Sequence, residues 1–297
     1  IALLLAAVLY ARFHAGAVLL LLAELSAGTA YMVRPRSNPQ APNHLDRLGQ
    51  HREVMTFLRS EPRPFRVDAD EQEIPHNFGD WEGLEAAAGY VASVSADLYD
   101  FLGLNWSRTP LLLNQVFVVA REKKRPEQVE VFSAPGGLKI FRNPDAYPRA
   151  WLVGRLRIVP SRPAAAALLQ SPEFDPRREA FLYSPLPAWE PCDPAGGVHF
   201  ELQDIHRIVV RVETSCRAMA VFADPAFPGW EARVDGVPAP IHAAYGALRG
   251  VLVPPGTHRL ELSYHPGSVR LGAGLTLTGI AGCLLLAAAA RRARRGS

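Results

Sequence analysis

The stretch LGAGLTLTGIAGCLLLAAAA, residues 271–290, contains no charged residue. Twenty residues in an α-helix reach about 30 Å, which matches the hydrocarbon thickness of a bilayer. The alternative is a buried core helix of a soluble protein, but the length of the run and the abrupt RRARR that ends it disfavour that interpretation. We therefore predict a transmembrane helix over 269–290, followed by a basic tail at 291–297 that lies in the cytoplasm because arginines favour that side.

A second apolar run precedes the polar part of the chain. Residues 15–33 predict another transmembrane helix, and residues 1–11 are interpreted as the end of a preceding one. The chain begins with Ile1 inside an apolar run, without the basic start and cleavage site of a signal peptide, so we expect a piece of a longer, multi-pass protein. Two spans and a cytoplasmic tail then place residues 34–266 outside the cytoplasm.

One acidic residue, Glu24, lies near the middle of the 15–33 run. An ionisable side chain at that depth costs roughly 3 kcal/mol on insertion scales, and such residues usually face a helix bundle or a water-filled cavity. Two interpretations stay open. Glu24 is either a polar contact in a substrate or lipid cavity, or a hydrogen-bonding partner of a neighbouring helix.

The region between the two apolar runs divides by composition and periodicity. Residues 34–49 are interpreted as a linker and residues 50–154, with mixed helical and alternating patterns, as a small α+β domain. The proline-rich residues 155–195 predict a second linker with one short helix. Short alternating strands and the Asp235-Gly236 turn predict a β-sandwich over 196–266. The expected fold class is a membrane-anchored α+β protein, with the small α+β domain and the β-sandwich between two transmembrane helices.

Charge and cysteine content limit the classes of partner and compartment. The net charge is only +3, and the C-terminal tail alone carries four arginines, so we expect the lipid bilayer and no nucleic acid as partner. Of the three cysteines, Cys283 lies in the last apolar run. Cys192 and Cys216 have two possible interpretations: a pair formed in an oxidising compartment, or two separate small buried residues, which is the favoured one.

Motifs that carry chemistry are scarce. Asp68-Ala69-Asp70 forms a D-x-D pair, which binds a metal–diphosphate complex in many nucleotide-sugar enzymes, but outside the cytoplasm this substrate is not expected. The nine histidines show no metal-binding spacing, and no nucleophile or phosphate-loop motif is present. We assign no catalytic residue, no metal ligand and no cofactor.

The densest polar and aromatic stretch is PHNFGDWEGLEAAAGY, residues 75–90. Aromatic rings beside carboxylates and amides are typical of sugar recognition. The alternative, which we favour, is a structured loop with inward-packed aromatics and turn-capping polar groups. The candidate binding residues are His76, Asn77, Asp80, Trp81 and Tyr90.

Four segments in series resemble the C-terminal portion of the bacterial YfhO-like membrane proteins. They are PHNFGDWEGLEAAAGY at 75–90, LKIFRNPDAYPRAWLV at 138–153, FPGWEARVDG at 227–236 and PPGTHRLELSYHPGSVRLG at 254–272. The family is polytopic and is similar to multi-spanning glycosyltransferases that use lipid-phosphate-linked sugars. In such enzymes the catalytic carboxylate lies in an early outer loop, which has no counterpart in this chain.

Two functions follow as expectations. The resemblance implies the extracytoplasmic C-terminal part of a glycosyltransferase of the bacterial cytoplasmic membrane, which uses a polyprenyl-phosphate sugar to modify cell-wall glycan or another envelope polymer. The alternative is a non-catalytic envelope module for glycan binding or scaffolding. An acidic motif in an early outer loop of the longer protein would favour the first.

Overall fold

A computed structural model describes most of the chain, and residues 1–11, most of the expected 34–49 linker, and residues 296–297 lie outside the described part. The residues that it describes are 14–33, 47, 49–75, 77–86, 94–105, 107–186 and 189–295. The chain divides into two units, Ile1–Gln50 and His51–Ser297.

The first unit contains helix α1, His14–Val33, which coincides with the predicted 15–33 helix. The second unit ends in an apolar helix, α7, Gly267–Arg295. Within the described ranges, one segment is long and apolar enough to cross a membrane, namely Gly267–Leu285 of α7, and none of it is buried inside the structure.

The second unit is a mixed α+β fold with several antiparallel sheets, which confirms the α+β class. Its helices before α7 are α2 Arg52–Ser60, α3 Phe78–Glu82, α4 Ala96–Leu104, α5 Thr109–Leu112 and α6 Arg162–Gln170. Its strands are β1 Arg66–Ala69, β2 Gln115–Ala120, β3 Val129–Ser133, β4 Lys139–Arg142, β5 Ala150–Val153, β6 Arg155–Ile158, β7 Glu179–Leu182, β8 Gly196–Gln203, β9 Arg207–Thr214, β10 Ala218–Pro225, β11 Trp230–Val234, β12 Val237–Ala239, β13 Ile241–Ala244, β14 Leu248–Val253 and β15 Gly256–Tyr264.

The β-rich half is built from two antiparallel sheets that face each other. One has the strand order β12-β11-β15-β9-β8 and the other β13-β14-β10-β5. The alternating residues that predicted strands, such as Val210 and Leu262, are fully buried between the sheets with Phe222 of β10. Asp235 and Gly236 both have positive φ, 52° and 81°, and connect β11 to β12 as the predicted hairpin turn.

Strand β5 departs from the expected division of the chain. We expected residues 50–154 to form a separate domain, but β5 pairs with β10, so that Val153 lies opposite Met219 and Ala150 opposite Phe222. Successive side chains of β5 point to opposite faces, and both faces are covered. Ala150 packs between the two sheets, and Trp151 packs on the other side of its sheet against helices and β7. The two expected domains therefore share a sheet.

Residues 155–195 also differ from the expected linker. The predicted short helix is present as α6, but β6 and β7 pair in parallel on either side of it, which makes a β-α-β unit. Ala165, Leu169 and Phe181 are fully buried in a large apolar core of the unit. Because burial of such side chains contributes about 1.5–3 kcal/mol each for the larger ones, this segment is part of the core rather than a connection.

Cys192 and Cys216 form a disulfide bond, which corrects the favoured interpretation of two separate residues. Strands β8 and β9 pair from Gly196 opposite Thr214, so the residues just outside this ladder end meet. Cys283 is a free cysteine on α7.

Candidate functional site

The predicted binding residues in 75–90 are only partly described. His76 and Tyr90 lie outside the described residues. Asn77 precedes α3 in the left-handed conformation, with φ of 62°. Asp80 and Trp81 follow on α3, and the Trp81 side chain is 57% exposed. The structure thus presents a surface with one open indole ring, and glycan binding there stays a prediction.

The other predicted polar residues have simpler surroundings. Glu24 is exposed on α1 within its own unit. Asp68 pairs with Lys124 at 3.3 Å, and an oxygen of Asp70 accepts a hydrogen bond from the backbone of Gln72 at 3.0 Å. Among the residues that the structure describes, no group of three or more histidine, cysteine or acidic side chains is placed to hold a metal ion.

A different cluster in the second unit is the more unusual feature, and we name it the arginine cavity. It brings together three arginines and two carboxylates, Arg66, Arg149, Arg249, Glu85 and Asp224. The cavity has a volume of about 360 Å³. Charged side chains are rarely buried without partners, so such a convergence needs a structural or functional reason.

The strand order explains why these charges meet. Asp224 is near the end of β10, which is flanked by β14 and β5. Arg249 therefore approaches Asp224 from one side, and Arg149, which directly precedes β5, approaches from the other. Arg66 begins β1, and the backbone of Val67 in the same strand donates a hydrogen bond to the carbonyl of Glu85 at 2.9 Å.

Asp224 is the centre of the cluster and is only 4% exposed. Its carboxylate accepts hydrogen bonds from Arg66 at 2.6 Å and from Arg149 at 2.8 and 3.2 Å, in a two-pronged arrangement. Arg249 lies farther away, at 3.6 Å. Burial by itself would raise the pKa of Asp224, but Arg149, Arg66 and Arg249 outweigh it and lower the pKa to about 2. Asp224 is therefore ionised at neutral pH.

Arg66 and Arg149 use most of their donors inside the protein. Arg66 also donates to the carbonyls of Leu113, at 2.9 Å, and Ala223. Strand β1 belongs to a mixed sheet with the order β1-β2-β4-β3, and Arg66 links this sheet to the sandwich. Arg149 also pairs with Glu85. These two arginines are mainly structural.

Arg249 is different because its charge is incompletely paired. Its guanidinium lies over the ring of Trp230 at 3.9 Å, a cation–π contact. Its Nε and Nη1 atoms are buried and have no hydrogen-bond partner within the described part of the chain. Burial lowers the pKa of Arg249 to about 10, with Asp224 opposing that effect, so the group stays charged at neutral pH. A buried, charged donor without an acceptor favours the entry of an anion.

The mouth of the cavity is formed by the β8–β9 turn and by Glu85. Gln203 donates a hydrogen bond to Glu85 at 2.7 Å, and Asp204 and Ile205 line the opening. Glu85 is 42% exposed in its side chain, so it is the carboxylate of the cluster that a ligand can most easily displace.

The cavity lies at the end of the sandwich from which α7 leaves. Tyr264, the last residue of β15, donates from its backbone to the carbonyl of His206 at 2.9 Å, which is next to the cavity mouth. His265 donates to the carbonyl of Gly229 at 2.7 Å, adjacent to Trp230. Helix α7 begins at Gly267, so the cavity mouth and the start of the apolar helix are neighbours.

A second cavity of about 380 Å³ lies beside Tyr147 and three arginines. Arg108 donates there to the carbonyls of Leu169 at 2.7 Å and Phe174 at 3.1 Å. Arg177 lies over the ring of Tyr147 at 4.5 Å, which covers that face. Burial raises the pKa of Tyr147 to about 12. These groups are engaged within the protein, so this cavity is a weaker candidate.

Sequence reasoning missed the arginine cavity, although three segments quoted above each supply one of its residues. Glu85 belongs to 75–90, Arg149 to 138–153 and Trp230 to 227–236. Comparisons with protein-family models, with curated proteins and with solved structures find no match for this chain.

Proposed function

We propose that this chain is the extracytoplasmic, membrane-anchored portion of a polytopic bacterial envelope protein, a glycosyltransferase that uses a polyprenyl-phosphate sugar to modify cell-envelope polymers. The region between the two apolar helices serves as its binding module, and the transfer chemistry lies elsewhere in the longer protein. The resemblance to the YfhO-like family supplies the activity, and the multi-pass topology is part of the proposal.

The observation that carries the proposal is the junction between the sandwich and α7. Only His265 and Pro266 separate β15 from α7. A sandwich joined so closely to an apolar helix is held at the membrane surface once that helix is inserted. The disulfide between Cys192 and Cys216 supports an oxidising compartment outside the cytoplasm.

The binding role rests on the open surface at α3. Trp81 offers an exposed ring, and Asp80 offers a carboxylate one position before it. Ring stacking and carboxylate acceptors are suited to sugar hydroxyl groups.

A glycosyl-transfer assay tests the proposal on the chain alone and on variants of the longer protein. The chain alone should transfer no sugar from a polyprenyl-phosphate donor. In the longer protein, Trp81→Ala should lower transfer about fivefold, because a lost surface contact is worth about 1 kcal/mol. Asp80→Ala should act in the same direction, by a similar or smaller factor.

The matched control is Tyr99→Ala, which removes another ring, 68% exposed, on α4. It should leave transfer unchanged. Transfer by the chain alone would place the active site within it. No transfer by the longer protein would instead favour the envelope module for glycan binding or scaffolding.

A further inference from the structure

The end of the sandwich that carries the arginine cavity lies close to the membrane if α7 spans it. The two residues between β15 and α7 extend at most about 7 Å. The first four residues of α7, up to Arg270, rise about 6 Å before the uncharged run begins. The headgroup layer of one leaflet is itself roughly 5–8 Å thick. The turns at this end of the sandwich are therefore within reach of lipid headgroups.

Two large apolar side chains at this end are unusually open to solvent. Ile205 in the β8–β9 turn is 81% exposed, and Phe227 in the turn before β11 is 48% exposed. The two turns flank Tyr264, because β9 and β11 are the neighbours of β15. Apolar side chains that border a charged site are typical of surfaces that insert into the interfacial layer of a bilayer.

The inner part of the arginine cavity, which holds the three guanidinium groups and Asp224, carries more positive than negative charge and therefore suits an anionic headgroup. Three guanidinium groups face two carboxylates within the cluster, Asp224 and Glu85, and Asp224 is shared by all three. A third carboxylate, Asp204, lies at the exposed mouth and accepts a hydrogen bond from the backbone of Ile205 at 2.6 Å. The free donors of Arg249 lie deeper, so an acceptor that enters the cavity meets them beyond the rim.

We propose that this end of the sandwich docks on the bilayer surface, with Ile205 and Phe227 in the interfacial layer and the phosphate of one anionic phospholipid in the arginine cavity at Arg249. A phosphate suits the site because its oxygens accept several charge-assisted hydrogen bonds from a guanidinium group. Glu85 competes with the phosphate for Arg149 and leaves it when the lipid binds. This inference rests on the proposed membrane anchoring by α7, but not on the proposed transferase activity.

The binding step is tested by calorimetric titration of the detergent-solubilised chain with three probes. These are dihexanoyl-phosphatidylglycerol, dihexanoyl-phosphatidylcholine and inorganic phosphate. The anionic lipid should bind at least about tenfold more tightly than either of the others, because it alone combines net negative charge with apolar contacts. Arg249→Gln should weaken its binding about tenfold, and Glu85→Gln should strengthen it.

The matched control is Arg259→Gln, which removes an exposed arginine that pairs with Glu261 on the sandwich surface. It should leave the affinity unchanged. Equal binding of inorganic phosphate and the anionic lipid would show a soluble-anion site and overturn the lipid proposal. Failure of all three probes to bind would overturn it as well.

The docking step has a readout that does not depend on Arg249. In nanodiscs with phosphatidylglycerol, amide exchange in the 204–206 and 226–229 turns should be slower than in nanodiscs of phosphatidylcholine alone. Ile205→Asp and Phe227→Asp alter exposed side chains, so they should fold normally and lose this protection. Unchanged protection in both variants would overturn the docking.

Incorporation into nanodiscs separates the two proposals. A chain that does not incorporate refutes membrane anchoring. A chain that incorporates but shows no headgroup dependence keeps the anchor and refutes the docking.

Discussion

At the scale of single residues, the unusual feature is a buried carboxylate that three arginines share. Asp224 is 4% exposed and Arg249 is equally buried. Removing one partner of such a cluster leaves the other charges buried without compensation. Asp224 therefore has a stability role in the free protein, because Arg66 and Arg149 are both paired with it.

Asp224→Asn tests that role. The substitution keeps the shape of the side chain but removes the charge that pairs Arg66 and Arg149, so we expect the free energy of unfolding to fall by about 3–5 kcal/mol. Urea unfolding measures it. Asp193→Asn is the control: Asp193 pairs with Arg155 and Arg178 on the exposed surface, where solvent screens the charges, so this change should destabilise the protein far less. Equal effects of the two changes would contradict the interpretation.

The difference in stability between wild type and Asp224→Asn should depend on pH. The pKa of Asp224 lies below its ordinary value of 3.8, at about 2, so the folded state favours the ionised form. The stabilisation is fully present above pH 3.8 and is lost as the pH falls towards 2. The difference in stability between wild type and Asp224→Asn should therefore shrink over that window.

The arginine cavity could not be derived from the sequence because its residues are far apart and individually ordinary. Arg66 and Asp224 are separated by 158 positions, and Arg149 and Asp224 by 75. A lone arginine near a strand end predicts a solvated side chain. The pairing of β10 with β5 and β14 brings Arg149 and Arg249 to Asp224, and the packing of β1 adds Arg66 and Glu85. These long-range contacts have no local signature in the sequence.

At the scale of elements, local sequence patterns predicted strands and a turn correctly, whereas pairings between distant strands were not predicted. The alternation around Val210 and Leu262 and the turn at Asp235 predicted strands and a hairpin that the structure confirms. These signals depend on neighbours a few residues away. The parallel pair β6 and β7 was missed, because its strands are short, carry prolines nearby and are joined through a helix.

The disulfide is an element-scale constraint that the sequence left open. Cys192 and Cys216 are 24 positions apart; Cys192 precedes β8 and Cys216 follows β9, at the same end of their ladder. Closing a loop of this length restricts the unfolded chain and is worth about 3 kcal/mol in the entropic description. We expect Cys216→Ser to lower the free energy of unfolding by about that amount, as measured by urea unfolding without reductant.

Two comparisons sharpen this prediction. Reductant should destabilise wild type by a similar amount and leave Cys216→Ser unchanged. Cys283→Ser is the control, since that thiol is free and lies on α7. Resistance of wild type to reductant, with full stability of Cys216→Ser, would show that the bond does not contribute.

At the scale of the whole molecule, the shared sheet decides how the second unit behaves. Strand β5 comes from the first part of that unit, yet its side chains pack into both the sandwich and the core that contains Trp151. Arg66 adds a second link, from the mixed sheet of β1 to Asp224. The arginine cavity lies where the β1 sheet meets the sandwich, so its geometry depends on how these two parts pack together.

The proposed orientation in the membrane is the last whole-molecule prediction. The roles proposed for the arginine cavity, the disulfide and the surface at Trp81 require that residues 34–266 lie outside the cytoplasm. The four arginines in 291–295 argue for a cytoplasmic end of α7, because basic residues near a span are retained on that side. A reporter fused after Ser297 should therefore be active only in the cytoplasm. A reporter inserted at Pro126, in the exposed loop between β2 and β3, should be active only outside.

Replacing the four tail arginines by glutamine tests whether these arginines determine the orientation. The orientation should become mixed, so that both reporter positions give signal on both sides, whereas Arg259→Gln should leave it unchanged because that residue lies within the sandwich. The Cys192–Cys216 bond provides an independent readout, since it should form only in molecules whose sandwich reaches the oxidising side. Two results together would contradict the orientation: a reporter after Ser297 that is active outside, and Cys192 and Cys216 thiols that can be alkylated in intact cells. They would also contradict the proposed role of the arginine cavity at the outer bilayer surface.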